Sequence, residues 1–471
     1  MIYLMKKIPF LLLLLLLLWS WGPVLETLQA QPKPKQHNAL PYKCRITFTD
    51  KGDTPYSLQH PEQFLSQKAL QRRARQGMAV DSTDLPICER YVQHIVALGL
   101  KPVARGKWEN FLTVACADTA WVAAARQLPF VRQIELVWVK PPIAEEEMAP
   151  QRQELTNELP HFPDTLYGAA TDQIALLQGQ RLHEAGFRGE GMTIAVIDAG
   201  FHNADRMEAL RGVKIWGCKD FVNPDGDPYG EGSHGLSVLS CMAMNRPEVM
   251  VGTAPEATYW LLRSEDESSE QLVEQDYWAA AVEFADSVGV DVVNTSLGYY
   301  NFDNADWNYA YRHLDGHHAL MSRQASRLAS KGMVLVCSAG NSGAGSWKKI
   351  TPPADAFDVL TVGAVNKEAT LSFFSSVGHT ADGRIKPDVV ALGELTSVIQ
   401  PNGSLGKAYG TSFSSPIVCG LVACLWQARP QLTAHQLIQL VRQSGDRIDY
   451  PDNIYGYGLP DFWKAYQLQL Q

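Results

Sequence analysis

Beyond Gly189 the chain settles into a repeating pattern, in which short unbroken apolar runs alternate with amphipathic stretches. The runs are residues 192–198 (MTIAVID), 290–296 (VDVVNTS), 333–340 (MVLVCSAG), 359–365 (VLTVGAV) and 388–393 (DVVALG). Strands built from such runs are apolar on both faces, which is the habit of parallel sheets covered on both sides. Between the runs, Val273, Tyr277, Ala281, Phe284 and Val288 recur at helical spacing. A second helix is predicted over about 321–330, and a third, apolar almost all round, over 417–426. Strand–helix alternation of this kind predicts an α/β domain with a doubly wound, mostly parallel sheet over residues 165–471. Ligands in such folds sit at the carboxyl ends of the strands.

The N-terminal third has a different rhythm. Residues 46–49 (ITFT) and 111–116 (FLTVAC) read as strands. Residues 91–100 carry Ile95, Val96, Leu98 and Leu100 at helical spacing, 119–128 form a second helix, and 131–137 a closing strand. They predict a small α/β module within residues 31–140. Residues 141–164, rich in Pro, Glu and Gln and without periodicity, read as a linker. At the start, Lys6 and Lys7 precede an apolar stretch (8–21) that contains the leucine run 11–18, and the small Ala30 follows a polar region. Residues 1–30 are therefore expected to be a signal peptide. The apolar stretch is shorter than the ~20 residues a spanning helix needs. The protein is expected to be exported to the periplasm, cell surface or medium, with no stable membrane insertion once the signal is removed.

Charge and cysteine content narrow the classes further. A net charge of −9 argues against nucleic acid as a partner, because phosphate binding needs a basic face. Eight cysteines in 471 residues do not make a disulfide scaffold, and no C-x-x-C pair suggests a metal site. Cys337, Cys419 and Cys424 lie in apolar runs and read as buried thiols.

Three residues stand out for chemistry. Asp198 ends the run TIAVID, His234 opens an apolar helical stretch in GSHGLSVLS, and Ser412 opens the most apolar helix in YGTSFSSP. Singly, each has an ordinary structural explanation: a turn carboxylate, a helix-start histidine, an N-cap. Together, in the order Asp, His, Ser, they match one of the chain orders of a nucleophilic triad. A serine hydroxyl needs a base, His is the base suited to neutral pH, and Asp fixes its tautomer. Asn341, directly after the run 333–337, is placed to offer an amide to a developing oxyanion, and the Ser412 peptide N–H would be the second donor. A scaffold that only binds would not require all four. The serine motif lacks the closing Gly of a hydrolase elbow, Gly340, Gly343 and Gly345 have the wrong spacing for a dinucleotide loop, and His313, His317 and His318 around Asp315-Gly316 fit a turn better than a metal site. The run Arg72-Arg73-Ala74-Arg75 reads as a solvated helix face.

The ordered segments IAVIDAG, SHGLSVLS, NTSLG, CSAGNSG and GTSFSSP, with SFFSSVG, DGRIKPDVVALG and YGYGLPD, resemble the subtilisin-like serine peptidases, or subtilases, over about 167–468. The resemblance implies an exported endopeptidase acting on protein or peptide substrates, with Asp198, His234 and Ser412 as triad and Asn341 in the oxyanion hole. It also implies that Ser296-Leu297-Gly298 form an edge pairing with substrate backbone, and that Ala339-Gly340 wall the pocket. No cofactor is required for the chemistry; structural calcium is common in the family, and no ligands are assignable. The N-terminal module resembles the family's inhibitory propeptides, so the protein's own propeptide is an expected partner. Leu236 and Phe413-Ser414 stand where the family usually has Thr and Met-Ala, which bears on pocket shape and rate.

Overall fold

The computed structural model describes residues 40–141 and 154–469, apart from 53 and 157. The expected signal peptide (1–30) and residues 142–153 of the expected linker lie outside the described residues. The N-terminal module contains β1 (Tyr42–Phe48), α1 (Gln67–Arg75), α2 (Glu89–Ala97), β2 (Lys101–Gly106), β3 (Phe111–Cys116), α3 (Thr119–Arg126) and β4 (Val131–Val139). Its antiparallel sheet has the order β2-β3-β1-β4. Successive side chains of a strand point to opposite faces. Cys44, Ile46 and Phe48 of β1 therefore join Val92, Ile95 and Val122 in the module's own core, while Lys43 and Arg45 face the other way.

That other face is covered by the second domain, whose main elements are β5 (Thr193–Asp198), β6 (Lys214–Asp220), α4 (His234–Ala243), β7 (Thr258–Arg263), α5 (Val273–Val288), β8 (Val292–Thr295), β9 (Val334–Ser338), β10 (Leu360–Val365), β11 (Val389–Leu392) and α6 (Thr411–Ala428). The seven strands are all parallel, in the order β11-β10-β9-β8-β5-β7-β6. Ile194 and Val196 of β5 pack with α4 and α6 on one side; Ala195 and Ile197 pack with α5 on the other. The five apolar runs read from the sequence are five of these strands. Strands β6 and β7 and the module's β2 were not anticipated. The helix expected over 321–330 is shorter, Leu320–Ala325 followed by a 3-10 turn, and the one expected over 417–426 extends to Thr411–Ala428. The latter is long and apolar enough to cross a membrane, but 89% of it is buried as the central helix of the domain.

The module is clamped along α5. Arg45 Nε donates to Asp276 at 2.6 Å, Thr113 Oγ1 to the same carboxylate at 2.6 Å, and Lys43 Nζ to Tyr277 OH at 2.8 Å. Trp108, Val137 and Trp138 of the module belong to the same apolar cluster as α5. Helix α1 corrects an expectation. Arg72 and Arg73 are not on a solvated face: their side chains are 1% exposed and bridge to the buried Asp286 of α5. A local run of cations carries no information about a carboxylate more than two hundred residues away in the chain.

Candidate active site

Asp198 is the last residue of β5 and is fully buried. Its Oδ1 accepts from the Ala199 peptide N–H at 2.8 Å and from His234 Nδ1 at 2.7 Å. His234 is the first residue of α4. The helix comes this close because residue 235 is glycine: a Cβ there would meet Asp198 Cβ at 2.8 Å and the Gly200 carbonyl oxygen at 2.6 Å. Burial alone would lower the imidazole's pKa. The Asp198 charge and hydrogen bond outweigh it, and with Glu265 and Glu267 they raise it to about 9.

Ser412 is the second residue of α6 and is 7% exposed. Its Oγ lies 3.4 Å from the Ser296 carbonyl oxygen. Among the described residues no hydrogen bond joins it to His234, but both line one cavity of about 330 Å³. Inside α6, Pro416 has no N–H for the carbonyl four residues earlier, which is that of Ser412. Ser296 Oγ donates to this carbonyl at 2.8 Å. The proline thus releases the acceptor that ties the 296–298 segment to the serine.

Asn341 follows β9. Its Oδ1 accepts from both the peptide N–H and the hydroxyl of Thr411, each at 2.9 Å, so the side-chain NH₂ faces away from Thr411. Thr411 Oγ1 accepts in turn from the Gly340 N–H at 3.1 Å. Gly410, at φ +148°, is in a conformation that favours glycine, and a Cβ there would stand 3.4 Å from Asn341 Nδ2 and 3.6 Å from Ser412 N. A side chain at 410 would therefore intrude between the two N–H donors.

Ser296, Leu297, Gly298 and Gly340 also line the cavity. The parallel ladder ends at Thr295, which leaves the peptide groups of Leu297 and Gly298 outside the sheet. Ala339 does not line the cavity; it is buried behind it, its N–H on the Val362 carbonyl at 3.0 Å and its carbonyl accepting from Thr351 N at 3.3 Å. Phe413 packs on the His234 ring at 5.7 Å between centroids, and Leu236 points into the core. Thr411, Thr351, Glu265 and Glu267 were not singled out from the sequence. The position of the two glutamates just past the carboxyl end of β7 was the available signal. Asp315 Oδ1 accepts from the N–H groups of His317 and His318, both at 2.8 Å, as a turn requires. Among the described residues no group of three or more His, Cys, Asp or Glu is arranged to hold a metal ion.

Comparison with known proteins gives two family matches. Residues 189–458 match the subtilase family, and residues 43–154 match a peptidase S8 propeptide domain of Bacteroidota. The chain is 28% identical over 335 residues to serine protease AprX of Bacillus subtilis (strain 168), covering 64% of this chain and 71% of that protein. It is 28% identical over 289 residues to subtilisin NAT of Bacillus subtilis subsp. natto, covering 60% and 68%. Among solved structures, the MycP3 protease from the type VII (ESX-3) secretion system superposes with a TM-score of 0.52 at 23% identity, over 70% of this chain and 100% of that one, a likeness of fold.

Proposed function

Because the chain belongs to the subtilase family of serine peptidases, we propose that it is an exported endopeptidase in which Ser412 is the nucleophile, His234 the general base and Asp198 its orienting partner. The observation that carries this reading is the 2.7 Å bond between Asp198 and His234 Nδ1 in the cavity that also holds Ser412. That bond makes Nδ1 the donor and leaves Nε2 as the acceptor for the serine proton. Oγ then attacks the peptide carbonyl carbon while His234 takes its proton. The resulting oxyanion is received by Asn341 Nδ2 and the Ser412 peptide N–H. The imidazolium returns the proton to the departing amine, and a water molecule repeats the sequence to release the acyl group. Substrate backbone pairs with 296–298 as an added strand.

The same reading covers the N-terminal module as an inhibitor of its own enzyme. Support comes from the end of β4, where Val139 exchanges two hydrogen bonds with Gln271 at 2.8 and 2.9 Å, a few residues from Glu267 at the cleft. The end of β4 is thereby fastened to the segment that also carries Glu265 and Glu267. Export rests on residues 1–30. The test is covalent labelling by a fluorophosphonate together with hydrolysis of a denatured protein. Wild-type labelling that vanishes in Ser412→Ala, with protein hydrolysed in preference to simple esters, is the expected result. Labelling that persists in Ser412→Ala would overturn the assignment of the nucleophile.

A further inference from the structure

The wall of the cleft beside His234 is the segment that follows β7, and Glu265 and Glu267 line the same cavity as Ser412 and the 296–298 edge. Neither carboxylate has an ion pair or hydrogen bond among the described residues. Burial, reinforced by Asp198, pushes Glu265 up to about 8; burial, reinforced by Asp303, pushes Glu270 up to about 7. Behind them the Glu274 carboxylate is fixed by the N–H groups of Asp266 and Gln271 at 2.9 and 3.0 Å. Tyr299, one residue past the edge segment, is 1% exposed, and its hydroxyl has no hydrogen-bond partner although it stands in the field of Glu265, Glu270 and Glu274.

A half-buried carboxylate such as Glu265 is costly to ionise unless a cation arrives to meet it, whereas Glu267 is exposed. The cations nearby are engaged, His234 among them, since its charge is favoured by both glutamates but its Nδ1 is bonded to Asp198. Arg263 is held by Asp220 and the Ala199 carbonyl oxygen at 2.8 and 2.9 Å, and Lys43 of the module is tied to Tyr277. On the other side of the nucleophile the lining residues Gly298, Ser338, Gly340 and Thr351 carry no charge.

Resting on the peptidase reading above, we infer that Glu265 and Glu267 select substrates with a Lys or Arg side chain among the residues preceding the one whose carbonyl is attacked. The side chain that enters the uncharged pocket is not the selected one. The cation comes to lie along the His234 wall, where its attraction to the two carboxylates focuses cationic peptides into the cleft.

The test is a set of fluorogenic peptides that place Lys or its neutral isostere norleucine at each upstream position. They are assayed with the mature enzyme and with Glu265→Gln/Glu267→Gln and Glu265→Lys/Glu267→Lys, and the active fraction of each is counted by fluorophosphonate labelling. At one upstream position the wild-type ratio of kcat/KM, Lys over norleucine, should be about tenfold or more. It should fall toward unity in the glutamine pair and invert in favour of norleucine in the lysine pair. A wild-type ratio near one, or a ratio unchanged in the glutamine pair, overturns the inference. If the glutamates only tune His234, the pH limb shifts equally for both peptides and the ratio stays put, with the same consequence. Labelling without cationic preference sinks this inference alone, whereas a wild-type enzyme that neither labels nor cleaves any peptide sinks the peptidase reading with it.

Discussion

Arg73 of the N-terminal module donates to both carboxylate oxygens of Asp286 at 2.9 Å, and the two side chains are 1% and 0% exposed. The same guanidinium forks onto Asp84 at 2.9 Å, Arg72 also donates to Asp286 Oδ1, and Lys107 Nζ stands 3.5 Å from Oδ2. Lifting the module off leaves Asp286 without its three cations. Removing one partner of a buried pair costs about 3–5 kcal/mol. Arg73→Ala should therefore weaken inhibition by a separately expressed module by about a hundredfold or more, read as the inhibition constant against the mature enzyme. An unchanged constant would mean that the pair adds nothing to docking.

Glu283 gives the interface a pH dependence. It accepts from the N–H groups of Lys107 and Trp108 at 2.6 and 2.9 Å, and burial raises its pKa from 4.5 to about 7 despite Lys107 and those two bonds. Removing the module uncovers this face of α5 and returns the carboxyl toward its ordinary range. A carboxyl whose pKa is higher in the complex takes up a proton on binding. Its contribution is full below about 4.5 and is lost as pH rises through about 7. The module should inhibit more tightly near pH 5 than near pH 8, and Glu283→Gln should flatten that dependence.

Ser412→Ala should abolish proteolysis while leaving the thermal unfolding profile close to that of wild type. The lost hydroxyl makes a single long contact with the Ser296 carbonyl oxygen, whereas the neighbouring Ser296–Ser412 bond uses the backbone carbonyl and survives. Mass spectrometry should find the module still covalently attached if processing is autocatalytic; normal processing would remove that claim and spare the triad.

Asn341→Ala should lower kcat by about 10²–10³-fold with little change in KM. That size is the one measured for an oxyanion-hole asparagine of subtilisin, a member of this family. In the proposed mechanism the amide acts once charge has developed on the oxygen, so a loss falling mainly on KM would recast Asn341 as a pocket residue.

His234 must be neutral to act as base, and its pKa is raised to about 9 in part by Glu265 and Glu267. The acid limb of kcat/KM should climb through the alkaline range. Glu265→Gln/Glu267→Gln removes two charges that favour the imidazolium, so the limb should move to lower pH for every peptide. A limb that stays put or moves upward would contradict the electrostatic coupling.

Strands β5, β8, β9, β10 and β11 were legible because each is apolar at successive positions, which only a strand covered on both sides tolerates. Strand β6 was not: it is an edge strand whose Lys214 and Lys219 face solvent, so its run KIWGCKD carries no comparable signal. The four residues proposed for catalysis were legible as well, since strand ends and helix starts can be located from local pattern and the chemistry restricts the residue types.

What the sequence determined by itself was the parallel α/β domain and the N-terminal module, and it singled out Asp198, His234, Asn341 and Ser412 as the candidate quartet, all from local periodicity or from short motifs. The tertiary structure alone decided that Arg72 and Arg73 are buried on Asp286, that Thr411 turns the Asn341 amide outward, and that Glu265 and Glu267 line the cleft beside His234. The reason is physical. Whether a charge is solvated, paired or left alone depends on groups brought close by folding, and those groups lie tens to hundreds of residues away along the chain.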